Sequence, residues 1–231
     1  MQILGFLKTT LLDYPGHVAA TVFTGGCNFR CPFCHNGDLV LHPETVPAFT
    51  EEEIFSHLKK RRNILDGVCI TGGEPTLHSD LRDFILKVRA LGYLIKLDTN
   101  GYRPEVLIPL CEEGLIDYVA MDIKQAPSHY NDISCMSSFH IECIAKSVDY
   151  LLHGTIPYEF RTTLVKELHT EADIQEIGQF LAGADNYFLQ VYKDSDQVIT
   201  QGFHAHTKDE LLHFEEILKK TITNVELRGI D

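Results

Sequence analysis

The sequence predicts an α/β fold on a parallel sheet, with a ligand site along one rim. Three observations carry that expectation. Short β-branched, apolar runs alternate with stretches of helical length along the 231 residues. Polar and glycine-rich residues directly follow the strand-like runs, at Gly25-Gly26, Thr71-Gly72-Gly73-Glu74, Asp98-Thr99-Asn100-Gly101 and Asp122-Ile123-Lys124. Three cysteines, Cys27, Cys31 and Cys34, fall close together immediately after the first of those runs. In parallel α/β folds ligands bind at the carboxyl ends of strands. Four such clusters therefore read as one shared site rather than four separate turns.

Taken in order, Val18 to Thr24 is β-branched and apolar and ends at the glycine pair, a strand that delivers the cysteine loop. Thr50 with Glu53 three residues on is a capping-box start, and its helix runs to about Arg62. The alternation is then regular. Strands are expected at Gly67 to Thr71, Tyr93 to Asp98, Tyr118 to Asp122, Tyr158 to Leu164, Tyr187 to Tyr192 and Asn224 to Leu227. Helices are expected at Ser79 to Leu91, Pro104 to Glu113 (stopped by Gly114), Phe139 to His153 (stopped by Gly154), Glu171 to Leu181 and Lys208 to Lys220. Crossovers of this kind make neighbouring strands parallel. No internal repeat or low-complexity segment breaks the pattern, and the length suits one domain over residues 1–231.

Composition narrows the function. With 44% hydrophobic and 23% charged residues the chain has the make-up of an ordinary globular protein. No apolar run approaches the ~20 residues that span a bilayer. Met1 to Phe6 lacks the basic start and cleavage site of an export signal, so the expected location is the cytoplasm. The formal net charge of −13 argues against nucleic-acid and anionic-membrane binding. The run Lys59-Lys60-Arg61-Arg62 reads as a solvated helix end. Seven cysteines without an export signal point to metal or redox use. Cys69, Cys111, Cys135 and Cys143 read as small buried hydrophobes, which leaves one cluster.

Three residues separate Cys27 from Cys31 and two separate Cys31 from Cys34. Closely spaced thiolates hold iron–sulfur clusters, and three ligands on a four-iron cube leave one iron open to a small molecule. Spacing alone leaves two other readings. A structural zinc site needs four ligands, and the fourth candidate, His35, adjoins Cys34. A disulfide with a spare thiol needs an oxidising compartment.

At these residues the chain resembles the radical S-adenosylmethionine superfamily, and within it the activating enzymes of glycyl-radical enzymes, those of anaerobic ribonucleoside-triphosphate reductase above all. The resemblance is carried by Leu12-Asp13-Tyr14-Pro15-Gly16, Phe23-Thr24-Gly25-Gly26-Cys27, Cys31-Pro32-Phe33-Cys34-His35-Asn36, Thr71-Gly72-Gly73-Glu74-Pro75-Thr76, Lys96-Leu97-Asp98-Thr99-Asn100-Gly101 and Val119-Ala120-Met121-Asp122-Ile123-Lys124. It is dense to Lys124 and thins to the strand around Arg161.

The resemblance implies a partial (β/α) barrel, open on one side. It implies that Cys27, Cys31 and Cys34 hold a [4Fe-4S] cluster whose free iron takes S-adenosylmethionine for reductive cleavage. Phe33 and Asn36 would lie near the adenine, Gly72 and Gly73 would let the backbone approach, and Glu74 would accept from the methionine ammonium. Asp98, Thr99 and Asn100, with Asp122, fall at the polar strand ends. Of these, Asp98, Thr99 and Asp122 match positions that in related activases bind a monovalent cation. Lys124 and Arg161 match cationic positions near the carboxylate or ribose. Plainer roles stand beside these: a core aromatic for Phe33, helix capping for Glu74, Asp98 and Thr99, and a snorkelling side chain for Arg161.

The implied protein substrate is a glycyl radical enzyme, the anaerobic ribonucleotide reductase. The implied electron donor is a separate flavodoxin or ferredoxin, because no ferredoxin-like cysteine insert is present. The turn Asp13 to Gly16 is expected either to line the open side and touch the incoming glycine loop or only to close the barrel's bottom. Departures exist: long activases of pyruvate formate-lyase often carry glycine where Tyr14 stands, and the contact on the penultimate strand falls within Gln190 to Lys193 without selecting one residue. A small-molecule radical enzyme such as 7-carboxy-7-deazaguanine synthase, or a non-catalytic iron–sulfur or zinc-binding module, are the alternative functions.

Overall fold

The period-two and helical patterns resolve into a single eight-stranded sheet in the computed structural model, which describes residues 1–230. The strands are β1 (Ile3–Thr10), β2 (Ala19–Thr24), β3 (Gly67–Gly72), β4 (Leu94–Thr99), β5 (Tyr118–Asp122), β6 (Tyr158–Leu164), β7 (Asn186–Val191) and β8 (Asn224–Arg228). They lie side by side in chain order, and every pair from β2 to β8 is parallel. β1 pairs antiparallel with β2. Among the described residues no pairing joins β8 back to β1, so the sheet is a partial barrel.

Eight α-helices accompany the strands: α1 (Gly37–Leu41), α2 (Glu51–Lys60), α3 (Leu81–Arg89), α4 (Pro104–Glu112), α5 (Tyr130–Ser134), α6 (Ile141–His153), α7 (Glu171–Phe180) and α8 (Lys208–Leu218). The Thr50–Glu53 capping box forms, and Thr170–Asp173 and Thr207–Glu210 start α7 and α8 in the same way. The basic run that ends α2, Lys59 to Arg62, is exposed as expected. None of the helices is long and apolar enough to cross a membrane among the described residues.

The strand β1 goes beyond the sequence pattern. Its register with β2 shifts between Ile3 and Gly5 and again between Leu7 and Thr10, so its alternation is broken twice. Gly5 lies where a side chain would press on Phe23. The short helices α1 and α5 have too few residues to show a helical period.

The two faces of the sheet differ in chemistry. Val68, Ile70, Ile95, Leu97, Val119, Met121 and Phe160 point one way and join the apolar core with Phe84, Ile85 and Val88 of α3. Successive side chains alternate faces, so Cys69, Lys96, Asp98, Tyr118, Glu159 and Arg161 point the other way, into the barrel. That concave face is buried yet polar. Arg228, on the last strand, reaches back over β7 to hold Glu159 with two hydrogen bonds of 3.1 and 3.0 Å, its guanidinium lying 3.3 Å from the centre of the Phe188 ring.

The turn Asp13 to Gly16 lies at the amino ends of the strands, opposite the cysteine loop, and not on the open side. Tyr14 is 3% exposed and fills the floor of the barrel. It packs against Tyr118 at the start of β5 and His17, and a side chain at Gly67 at the start of β3 would strike its ring. Asp13 accepts from Thr21 within β2 (2.5 Å). Its ring closes this end of the barrel, which a glycine, having no side chain, could not do.

A segment of irregular structure, residues 193–207, runs from β7 to α8 across the top. It bonds backbone to backbone with the cysteine loop: Ile199 N–H donates to Cys34 C=O (3.3 Å), Thr200 N–H to Pro32 C=O (2.8 Å), and Gly37 N–H to Gln197 C=O (3.2 Å).

Candidate active site

The carboxyl ends of β2 to β7 surround one cavity, and every residue that the resemblance assigned to the cluster or the cofactor lines it. Cys27, Cys31, Cys34, Phe33 and Asn36 come from the loop after β2, and Gly72, Gly73 and Glu74 from the end of β3. Asp98 and Thr99 end β4 and Asn100 follows it, Asp122 ends β5 and Lys124 lies two residues beyond, and Arg161 is on β6.

The cysteine loop and the glycine pair are joined backbone to backbone. Gly73 N–H donates to Thr24 C=O and Glu74 N–H to Gly26 C=O, each at 2.8 Å. A Cβ on Gly73 would overlap the Gly26 carbonyl oxygen, and Gly72, at φ +115°, adopts a conformation that other residues rarely adopt. Asn36 Nδ2 donates to Gly72 C=O at 2.7 Å. Its amide therefore ties the third-cysteine turn to β3.

All three thiols are free. Burial pushes the thiols of Cys27 and Cys31 up to about 12, so without a bound cation they stay protonated. Cys27 Sγ has nearby donors in Phe29 N–H (3.3 Å) and Asn100 Nδ2 (3.8 Å). Asn28 accepts from Asn100 (2.8 Å) through Oδ1, while its own Nδ2 is buried without a partner. Thiols and amide donors of this kind suit an iron–sulfur cluster, whose sulfurs accept hydrogen bonds. Among the described residues no group of three His, Cys, Asp or Glu side chains is arranged to hold a single metal ion.

Glu74 is fully buried, and its carboxylate bolts two strand ends together. Oε1 accepts from Thr76 N–H (3.0 Å), Thr76 Oγ1 (2.6 Å) and Thr99 Oγ1 (2.8 Å), and Oε2 accepts from Asn100 N–H (2.7 Å). Burial raises its pKa and these four donors oppose the rise. A carboxylate has about four lone-pair directions, so Oε2 keeps room for one more donor. Glu74 does cap the short 3₁₀ turn Pro75–Leu77. Asp98 and Thr99 cap no helix: α4 follows Arg103.

Behind Glu74 lies a ladder of charge. Arg161 Nε donates to Asp122 Oδ1 (2.9 Å) and its Nη1 to Asp98 Oδ2 (3.3 Å), so Arg161 is an ion-pair hub and not a snorkelling side chain. Lys124 Nζ stands 3.1 Å from Asp122 Oδ2. Burial works against each charge, yet the opposite charges win. Asp98 and Asp122 are held below the usual carboxylate range, chiefly by Arg161, and Asp122 holds Lys124 above the usual lysine range.

Lys96, beneath the cavity, and Thr163 and Gln190, on its lining, were not singled out by the sequence argument. Lys96 lies buried beneath Asp98 and bonds to its Oδ1. The alternation Ile95-Lys96-Leu97-Asp98 was the available signal: a lysine between two core aliphatics must face the opposite side of the strand. Thr163 continues the inward row of Glu159 and Arg161, and Gln190 is its register partner, at 3.4 Å. Gln190 is the residue that the segment Gln190 to Lys193 contributes to the cavity. Phe33 is both core and wall: it is 3% exposed, lines the cavity, and meets His169 edge-on at 5.9 Å. Of the other cysteines, Cys69 is buried, Cys111 and Cys143 are half-buried, and Cys135 is exposed. Cys135 ends α5 in the left-handed region at φ 55°, so a position set by the turn corrects the buried reading for it.

Residues 21–181 match the model of the Radical SAM superfamily. A candidate glycyl-radical enzyme activating enzyme of Methanocaldococcus jannaschii is 33% identical, over 99% of this chain and 96% of its own. The 7-carboxy-7-deazaguanine synthase of Halobacterium salinarum is 28% identical over 74% of this chain and 66% of its own. Among solved structures, Streptococcus suis SuiB bound to S-adenosylmethionine superposes with a TM-score of 0.68 at 14% identity, over 89% of this chain and 49% of SuiB, a likeness of fold. A match of that extent, on a partial barrel with its cysteine loop at the strands' carboxyl rim, places the chain in the radical SAM superfamily.

Proposed function

We propose that this radical SAM enzyme is a cytoplasmic activase that installs a radical on a glycine of an anaerobic ribonucleoside-triphosphate reductase, with electrons from a flavodoxin or ferredoxin. The observation that carries the reading is the cavity itself: three free thiols face a ring of charged strand ends, in a sheet whose edge strands β1 and β8 do not pair among the described residues. The near-full-length similarity to a candidate activase supports it.

A [4Fe-4S] cluster on Cys27, Cys31 and Cys34, with S-adenosylmethionine beside it, supplies one-electron cleavage of a sulfonium and a primary carbon radical able to take a glycine hydrogen. The chain's own groups do the rest. Glu74 Oε2 takes the cofactor's ammonium with its remaining lone pair. Lys124 and Arg161 draw its carboxylate, Phe33 and Asn36 flank its adenine, and the bare backbone of Gly72 and Gly73 allows close approach. The apolar wall of Phe29, Phe33 and Val40 keeps water from the radical. A partner loop reaches the cavity where the sheet is open, which a closed barrel would prevent.

The similarity to 7-carboxy-7-deazaguanine synthase favours a second reading, a small heterocycle as substrate. One experiment separates them. The reduced protein is mixed anaerobically with S-adenosylmethionine and the ribonucleotide reductase of the same organism. A doublet electron paramagnetic resonance signal on the partner's glycine, with 5′-deoxyadenosine formed, is expected. Cofactor cleavage without a protein radical, but with turnover of a carboxytetrahydropterin, would hand the site to the second reading.

A further inference from the structure

We propose that Lys96 is a built-in cation of this site: its ammonium holds Asp98 where a bound monovalent ion would otherwise stand, and the protein binds its cofactor without such an ion. Lys96 rises from the middle of β4, its side chain 2% exposed, and reaches Asp98 Oδ1 and Cys69 Sγ (3.9 Å). An uncompensated ammonium would not remain buried there; the Asp98 carboxylate compensates it. The other oxygens are also taken. Asp98 Oδ2 faces Arg161 Nη1 at 3.3 Å, Asp122 Oδ1 faces Arg161 Nε at 2.9 Å, and Asp122 Oδ2 faces Lys124 Nζ at 3.1 Å. Each carboxylate oxygen that could ligate a hard cation therefore already meets a protein cation.

The charge balance points the same way. Lys96, Arg161, Lys124 and Arg228 face Asp98, Asp122 and Glu159, four cations against three carboxylates. Within these ion pairs the cations outnumber the carboxylates by one, and Glu74, the remaining carboxylate of the cavity, is already met by four hydrogen-bond donors of the chain, so no carboxylate is left over that calls for a further cation. Thr99, the third residue of the expected cation site, donates its hydroxyl to Glu74 and accepts from Gly101 N–H, so it is engaged elsewhere. Lys96 thus acts as a positioning residue, setting Asp98 and through it Arg161.

The inference rests on the cofactor reading above and is independent of which substrate receives the radical. Its test compares potassium chloride with tetramethylammonium chloride at equal ionic strength, the larger ion being too bulky for a carboxylate site. Two quantities are read: the melting temperature of the protein without S-adenosylmethionine, and the affinity of the cluster-loaded protein for it. The wild type is expected to give the same melting temperature and, within about twofold, the same affinity in both salts. Lys96→Met, which keeps the stem and removes the charge, is expected to bind about tenfold more weakly in tetramethylammonium, the scale of one lost charged contact. Potassium, entering beside Asp98, should restore most of that loss and raise the variant's melting temperature. Wild-type protein that melts higher or binds several-fold tighter in potassium overturns the proposal, as does a Lys96→Met defect that potassium leaves unchanged. A wild type that binds no S-adenosylmethionine in either salt refutes the cofactor reading instead, and the melting comparison still decides this one. Should Lys96→Met not fold, the wild-type comparison stands alone.

Discussion

Replacing Glu74 by glutamine tests the junction on which the site is built. The carboxylate accepts four hydrogen bonds, three on Oε1 and one on Oε2, all from donors of the chain itself. Glutamine keeps the shape but turns one oxygen into an NH₂. With that group at the Oε2 position, it confronts the Asn100 N–H; at the Oε1 position, it confronts the Thr76 N–H. The threonine hydroxyls can turn to accept, but a backbone N–H cannot. Either orientation leaves one buried N–H without an acceptor, at a cost of about 1–3 kcal/mol. For a chain of this size each kcal/mol lowers Tm by about 2–4 °C. Glu74→Gln should therefore melt several degrees below the wild type, by calorimetry or circular dichroism. In the cluster-loaded protein it should also bind S-adenosylmethionine roughly tenfold to a hundredfold more weakly, from loss of a charged acceptor worth about 1.5–3 kcal/mol. Iron content should be unchanged, since no thiol is touched. A variant that melts with the wild type would refute the clamp, and one that melts lower but binds the cofactor equally well would refute the contact to the ammonium.

Cys27→Ala, Cys31→Ala and Cys34→Ala should each abolish cluster binding and cofactor cleavage, whereas Cys111→Ala should spare both; iron and sulfide assays after anaerobic reconstitution check this. Tyr14→Ala should remove the barrel's floor and cost about 3–5 kcal/mol in denaturant unfolding, while the folded protein retains its affinity for the partner enzyme; selective loss of partner binding would return this turn to the open side. Gly73→Ala should lower both stability and iron content, because its Cβ forces the cysteine loop away from β3. Asp98 and Asp122 titrate below their unfolded values, so their stabilisation is present above about pH 4 and is lost as pH falls through the lower, folded values. Asp122→Asn should thus be less stable at pH 7, by about 3–5 kcal/mol for a broken buried pair, but lose less of its stability between pH 7 and pH 3 than the wild type does.

The parts of this molecule legible in its sequence are those governed by local pattern. The seven strands from β2 to β8 show as apolar runs because parallel strands are covered on the core face, and the glycine and cysteine clusters show because a rim of polar turns has no other purpose in such a fold. What was not legible depends on partners distant in the chain. Lys96 looks like a misplaced surface residue until Asp98 and Arg161 are seen around it. Tyr14 reads as part of a site motif, and only its packing on Tyr118 and against Gly67 shows that it seals the opposite end. β1 hides because it is an antiparallel edge with two register shifts. Asn28 and Asn100 meet only when β4 ends beside the cysteine loop.

The backbone bonds between residues 197–200 and the cysteine loop set an order of events in biosynthesis. Cys27, Cys31 and Cys34 leave the ribosome early, but the carbonyls of Pro32 and Cys34 and the amide of Gly37 find their partners only when the segment after β7 has emerged. Contacts between segments so far apart in the chain are slow to form. A nascent chain halted before Gln197 would display three thiols on a loop held from one side alone. The cysteine loop is thus held from both sides only once residues 197–200 have folded over it, so a truncation before Gln197 should leave the loop looser than in the whole chain.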